Sequence, residues 1–333
     1  MIITKTPFRI SLFGGGTDYP VYYKENTGSV LSTTINKYCY IHCRNLPPFF
    51  DYKYRIRYTF REETKTLDEI KHSSVRECIK YVNMNNIGIE MVHTSDIPAQ
   101  SGIGSSSAFT VGFLNALYAL KGNVITKRQL AQFAIHIEQN IIKENVGSQD
   151  QVATAFGGFN KIDFGTNPEF EVHPLTIGKD KLTNLQDHLM LFFTGFSRNA
   201  SDIAAEQIKM TNEKKDDLKI IHEMVSEAIE ILNCNNSDIN EIGTLLHEHW
   251  FIKRALTTKI TNPEIDKIYE SAIKAGAIGG KLLGAGGGGC MLFFVEPHNQ
   301  NKVKETLKNL VHIPFKFEAL GSQIIHYEPN DDF

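Results

Sequence analysis

The chain has 333 residues, enough for roughly two domains that each bury a core. Hydrophobic residues make up 41% and charged residues 22%, and 35 basic against 38 acidic side chains leave a formal net charge of −3. That balance excludes the basic footprint of a nucleic-acid binder, and no apolar run approaches a membrane span, the densest being 291–295, so neither nucleic acid nor membrane is an expected partner.

The chain opens on Met1-Ile2-Ile3-Thr4-Lys5-Thr6-Pro7, which lacks the long apolar stretch of a signal peptide and points to a cytoplasmic protein. Strands are expected at 2–13, 30–44, 55–60 and 87–93, where β-formers cluster or alternate. Helices follow at 105–121 and 127–144, the second opened by a capping box of Thr126 and Gln129, with Gly122 and Gly147 after the two ends. The second half carries long polar helices at 203–233 and 239–256, then a helix at 263–277, a glycine cluster, a strand at 290–295, a helix at 302–310 and a strand at 315–320. The least structured join lies near 177–187, which divides the chain into domains 1–180 and 181–333. Five scattered cysteines complete no zinc site and read as buried, reduced thiols; His247 and His249 flank Glu248 without further ligands and read as helix surface.

The strongest chemical signal is Pro98-Ala-Gln-Ser101-Gly102-Ile103-Gly104-Ser105-Ser106-Ser107-Ala108, between a strand and an apolar helix. Gly102 and Gly104 permit close backbone approach, and amides at a helix N-terminus favour an anion. One serine would cap the helix; three behind two glycines favour phosphate. No Walker motif GxxxxGK[ST] occurs anywhere.

On a helical wheel for 127–144, Leu130, Phe133, Ala134, Ile135, Ile137, Ile141 and Ile142 form an apolar arc, and Glu138 falls inside it. A buried carboxylate requires compensation, from a magnesium ion beside the phosphates or from a buried arginine. Asp150 lies twelve residues on, in a turn where it could accept a proton from an attacking hydroxyl or orient it. Near the N-terminus, Arg9 precedes a glycine turn, Gly14-Gly15-Gly16-Thr17-Asp18-Tyr19, whose aspartate could accept bonds from vicinal sugar hydroxyls. Gly284-Ala-Gly286-Gly287-Gly-Gly289 fits the dinucleotide fingerprint by letter, but it runs from helix to strand, the wrong context.

Together these segments resemble the GHMP kinase superfamily over nearly the whole chain. The resemblance implies an α+β fold of two domains, a ribosomal-protein-S5-like N-terminal unit and a ferredoxin-like C-terminal sandwich with the site between them. It implies ATP and Mg²⁺ as cofactors, with Ser101, Gly102, Ile103, Gly104, Ser105, Ser106 and Ser107 on the nucleotide and Ser106 and Glu138 on the metal. Asp150 and Arg9 take the catalytic positions, and Gly15, Gly16, Thr17, Asp18, Tyr19, Gly286 and Gly287 the substrate positions. Galactokinases carry Glu-His where this chain has Gly15-Gly16, a change that enlarges the pocket and removes a charge that would repel a phosphorylated sugar. Segments 8–20, 147–159 and 193–201 resemble the branch that phosphorylates heptose 7-phosphate at its anomeric hydroxyl, for the activated heptose of bacterial surface polysaccharides. Arg198 is the candidate for the sugar's own phosphate. A kinase for fucose or galactose and a non-catalytic sugar–nucleotide sensor are the alternatives, and a homodimer is left open.

Overall fold

The computed structural model describes residues 1–196, 200–234 and 236–329. The chain runs through β1 (Ile2–Phe13), α1 (Pro20–Asn26), β2 (Gly28–Asn45), β3 (Tyr54–Arg57), β4 (Arg61–Thr64), α2 (Ser73–Tyr81) and β5 (Ile89–Ser95). Then come α3 (Ser105–Leu120), α4 (Lys127–Ile135), a π-helical turn (His136–Ile141), α5 (Gln149–Phe156), β6 (Phe159–Phe164) and β7 (Phe170–Pro174). The second half has α6 (Lys179–His188), β8 (Leu189–Phe193), α7 (Ala200–Met210), α8 (Lys215–Asn233), α9 (Asn240–Arg254), α10 (Pro263–Ala275), β9 (Ala277–Leu282) and β10 (Cys290–Val295). It ends with a 3₁₀ turn (Pro297–Asn299), α11 (Gln300–Thr306), β11 (Val311–Ile313), β12 (Phe317–Glu318) and β13 (Gln323–Tyr327).

Two sheets organise these elements, as an α+β fold requires. The larger is built on β2, whose 18 residues pair with β6 at one end, β5 at the other and β1 along most of their length. Cys39, Ile41 and Cys43 of β2 are buried while Tyr40, His42 and Arg44 are half-buried, the period-2 signature of a sheet with one face in the core. Helix α3 lies across that face, buried almost all round, so its sequence is apolar on every side. The smaller sheet, in the order β11-β8-β10-β9, is antiparallel throughout, with α9 and α10 packed on β9.

Several expectations need correction. The 177–187 join is largely helix α6: its sequence shows little periodicity because Leu185 and His188 are its only buried residues. The 203–233 helix is two, α7 and α8, broken at Thr211–Lys214. Strand β9 replaces part of the expected glycine loop; its Gly279 and Gly280 are there because a Cβ would stand 2.0 Å from the Gly243 carbonyl oxygen of α9 and 2.4 Å from that of Leu292. Cys234 is exposed, and the other four thiols are buried as expected. The last two strands return to the larger sheet, β13 beside β1 and β12 beside β2, so the division at 180 stands as a proposal only for where the chain first leaves that sheet.

The capping box is present, with Thr126 Oγ1 accepting from Gln129 N at 3.2 Å and Gln129 Oε1 accepting from Thr126 N at 3.0 Å. The helix it opens does not run on to 144. From 136 the chain widens into a π-turn, which rotates Ile141 out of the apolar arc to 37% exposure and keeps Glu138 inside at 0%.

Packing of α3 on β1 supplies the first test. A Cβ on Gly112 would sit 2.7 Å from Thr6 Oγ1, and the Gly112 carbonyl accepts from Thr4 Oγ1 at 2.9 Å. Alanine is the better helix former by about 1 kcal/mol, yet Gly112→Ala should destabilise the protein by roughly 1–3 kcal/mol through overpacking. Urea denaturation measures this, and an unchanged or raised midpoint would contradict the packing.

Candidate active site

A cavity opens between the larger sheet with its helices and the elements of the second half. Its wall includes Arg9 and Ser11 of β1; Gly15, Gly16, Asp18 and Tyr19; Gly102 and Gly104; and Ser105, Ser106 and Ser107 at the start of α3. Asp150 enters from α5, Gln207 from α7, Lys253 from α9, Lys281 from β9, and the glycine loop contributes Gly284, Gly286 and Gly288.

Arg9 is the hub. Its Nε and Nη2 donate to Asp150 Oδ1 and Oδ2, each at 2.7 Å, and its Nη1 donates to the Gly102 carbonyl at 2.7 Å. The backbone N–H of Arg9 donates to the Ile103 carbonyl at 3.0 Å. Asp150 is not in an open turn as expected but in the first turn of α5, where the amides and dipole of a helix N-terminus favour a carboxylate.

Asp18 is nearly buried; Gly16 N donates to its Oδ1 at 2.9 Å and Gln149 N to its Oδ2 at 3.4 Å. Burial, with the Asp150 charge adding to it, pushes its carboxyl above the usual aspartate range. Gly147 makes room for it: a Cβ there would lie 1.8 Å from Asp18 Oδ2.

The serine loop opens α3 with Gly104 in the left-handed region, φ 76°. The glycine loop of the second half presses against it. A Cβ on Gly284 would stand 2.7 Å from Gly102 Cα, and Cys290 N donates to the Ser101 carbonyl at 2.8 Å.

Glu138 is fully buried and has no arginine partner among the described residues. Its Oε2 accepts from Ser107 Oγ at 2.9 Å and from Gln151 Nε2, while its Oε1 makes no hydrogen bond within geometric limits among the described residues. Burial first, and the Glu144 charge in addition, push its carboxyl up to about 7.

Not every expected residue lines the cavity. Thr17 is buried, its hydroxyl donating to the Gly14 and Ser29 carbonyls, so it holds the turn together. Ser101 and Ile103 act through backbone carbonyls, Gly287 N donates to the Ile260 carbonyl, and Glu138 stands behind Ser107. Arg198 lies outside the described residues. Sequence reading did not single out Lys253, Lys281 or Gln207 as cavity residues. His249 is not on the helix surface as expected but fully buried, its ring edge-on to Phe13 with centroids 5.6 Å apart.

Residues 73–158 match the family described as GHMP kinases N terminal domain, and residues 228–312 match GHMP kinases C terminal. A D-glycero-alpha-D-manno-heptose 7-phosphate kinase of Campylobacter jejuni is 31% identical over 318 residues, covering 92% of this chain and 93% of that one. The chain belongs to the GHMP kinase family. Mevalonate kinase of Pyrococcus furiosus is 28% identical over 71% of this GHMP kinase and 69% of its own length. A D-glycero-D-manno-heptose 1-phosphate kinase structure from Bacteroides thetaiotaomicron shares the fold, with a TM-score of 0.80 at 24% identity over 98% of this chain and 99% of that one. A Lactococcus lactis galactokinase complexed with galactose does so with 0.73 at 18% identity, over 97% and 94%. This GHMP kinase is an ATP-dependent sugar kinase, and its relatives support a sugar phosphate as the acceptor class. Among the described residues, no helix is long and apolar enough to cross a membrane.

Two predictions follow from this geometry. Gly147→Ala must displace the Asp18 carboxylate, and on the expectation that Asp18 holds the sugar, a displacement of about 1 Å costs on the order of 10²-fold. kcat/KM for the sugar should therefore fall about that much while ATP binding, measured by calorimetry, persists. Glu138 retains its proton in the folded state between about 4.5 and about 7, where the unfolded chain has lost it. Stability should thus decline as pH rises across that window, by on the order of 3 kcal/mol, and Glu138→Gln should flatten the decline. Denaturant midpoints of both proteins without divalent ions measure this; parallel curves would show that Glu138 is not the group responsible.

Proposed function

We propose that this enzyme transfers the γ-phosphoryl group of ATP to the anomeric hydroxyl of D-glycero-D-manno-heptose 7-phosphate, giving the 1,7-bisphosphate. The observation that carries the acceptor is space at the glycine turn: a Cβ on Gly15 would meet nothing closer than Ser11 Oγ at 3.6 Å and Gln149 Nε2 at 3.7 Å, so the turn leaves room where galactokinases carry larger side chains. Arg9, Lys253 and Lys281 line the cavity with Asp18 and Asp150, a lining that suits phosphates in general, those of ATP included. The names of the Campylobacter and Bacteroides relatives agree on a phosphorylated heptose and differ on which carbon bears the phosphate.

In this reading the amides and hydroxyls of Ser105 and Ser106 hold the ATP phosphates at the start of α3. Asp18 accepts from sugar hydroxyls, and Asp150 orients the attacking hydroxyl and takes its proton. Arg9 fixes both oxygens of Asp150, so the carboxylate cannot rotate away from the acceptor. The donor set also suits magnesium. Ser106 faces the cavity, and Glu138 Oε1 makes no hydrogen bond within geometric limits among the described residues, hard ligands of the kind Mg²⁺ combines with phosphate oxygens and water. When bound, the ion would neutralise charge on the phosphates.

Asp150→Asn should lose about 10²–10⁴-fold in kcat with ATP binding intact; near-normal turnover would remove its catalytic role. An ADP-release assay across heptose 7-phosphate, heptose 1-phosphate, fucose, galactose and mevalonate tests the acceptor. Preference for heptose 7-phosphate is expected. A free sugar as the best acceptor would overturn the reading, and no ADP release with any sugar would favour a sensor.

A further inference from the structure

Lys253 lies outside every motif that carries the kinase reading. It stands in the last turn of α9, is 5% exposed, and still forms part of the cavity wall. Its ammonium donates to the Gly284 carbonyl at 2.8 Å and makes no ion pair among the described residues. An ammonium has three donors, and a buried charge answered by one carbonyl is costly. The remaining donors belong beside something anionic.

Its position says what that is. Sharing the cavity wall with it are Arg9 from β1, Asp18 from the glycine turn, Asp150 from α5 and Lys281 from β9, with His249 buried on its own helix. The first three are the residues around which the proposed transfer takes place. Arg9 and Lys253 also make matching bonds at the loop junction. Arg9 holds the Gly102 carbonyl at 2.7 Å, Lys253 holds the Gly284 carbonyl, and those two glycines touch. One cation thus reaches the junction of the two loops from the first half of the chain, the other from the second.

We propose that Lys253 is a catalytic residue that donates to the non-bridging oxygens of the phosphoryl group in transit. The transfer is the one already proposed: a P–O bond forms to the acceptor oxygen, the bond from the γ-phosphorus to the β–γ bridging oxygen breaks, and the acceptor's proton passes to Asp150. Lys253 forms no covalent bond and supplies charge where the oxygens carry most of it. The proposal rests on the kinase reading but not on which sugar is used.

Burial, with Arg9 adding to it and Asp18 and Asp150 opposing it, brings the Lys253 ammonium down to about 8. Activity should therefore have an alkaline limb near that pH in kcat/KM, which reports the free enzyme. The experiment compares wild type, Lys253→Met and Lys253→Arg on whichever sugar the wild type phosphorylates fastest in the acceptor panel, so an error in the heptose assignment leaves this test intact. Lys253→Met should lose about 10²–10³-fold in kcat with KM for ATP and sugar changed by less than about threefold. Lys253→Arg should recover at least about tenfold of that loss and move the alkaline limb upward, since arginine stays charged. A raised KM for a phosphorylated sugar with kcat intact would overturn the proposal in favour of an anchor for the acceptor's own phosphate. A lowered melting temperature with near-normal kcat in both variants would reduce Lys253 to a tether of the glycine loop. If Lys253→Met fails to fold, the arginine variant decides: an alkaline limb that stays where it is in wild type overturns the proposal.

Discussion

A buried guanidinium holds this site together. Arg9 has a side chain 3% exposed, and a cation in that setting must have its charge and its donors met. Asp150 meets the charge through two parallel bonds and Gly102 takes a third donor. One side chain therefore sets the distance between β1, the loop that opens α3, and the first turn of α5. These three segments lie far apart in the chain, and each has its own reason to be where it is. Strand β1 is held by β2, α3 fills the core, and α5 carries Asp150 on its dipole. The arginine turns three independent placements into one geometry. Truncating it would leave Asp150 facing Asp18 without the opposing charge.

Where the two glycine-bearing loops meet, the halves touch through backbone. Gly102 and Gly284 touch, Gly289 approaches the Ser101 carbonyl, and Cys290 N donates to that same oxygen. Backbone-to-backbone contact has no rotamers to adjust, so the position of β10 in the smaller sheet fixes the serine loop of the larger unit. Glycine at these positions is thus a requirement of the approach as well as of the dihedral angles. The dinucleotide fingerprint spelled by the same letters arises from this second use of glycine.

Residues 101–107 were legible because their chemistry is local: a glycine turn, hydroxyls and a helix start sit consecutively. Glu138 was legible because a helical wheel shows a carboxylate in an apolar arc. What the wheel assumed was a regular helix, and the π-turn breaks that assumption, sending Ile141 outward while Glu138 stays in. Asp150 was found by its spacing, but its helix was not, since eight residues with Gln, Asp and Thr show little periodicity. Lys253 was invisible for a different reason: a lysine on a predicted helix reads as surface by default, and its burial shows only once the chain is folded. Strand β9 was hidden by packing within the second half, since its glycines look like a loop until α9 is laid against them.

The cavity wall and the layer behind it also keep polar atoms that the fold does not satisfy. Among the described residues, Ser11 Oγ, Gln149 Oε1, Ser101 Oγ, Gln151 Oε1 and Glu138 Oε1 are all buried without a hydrogen-bond partner. Native proteins satisfy nearly all such atoms, so a group of them around one cleft marks a place where folding has given up stability. Burial raises the Asp18 and Glu138 carboxyls and lowers the Lys253 and Lys281 ammoniums, each shift being the cost of an unmet charge. A ligand that brings anionic oxygens to the lysines and, with a cation, a partner to Glu138 would answer these demands together. Unpaired side chains and displaced ionisations are then one property: the protein is folded around charges it does not itself supply.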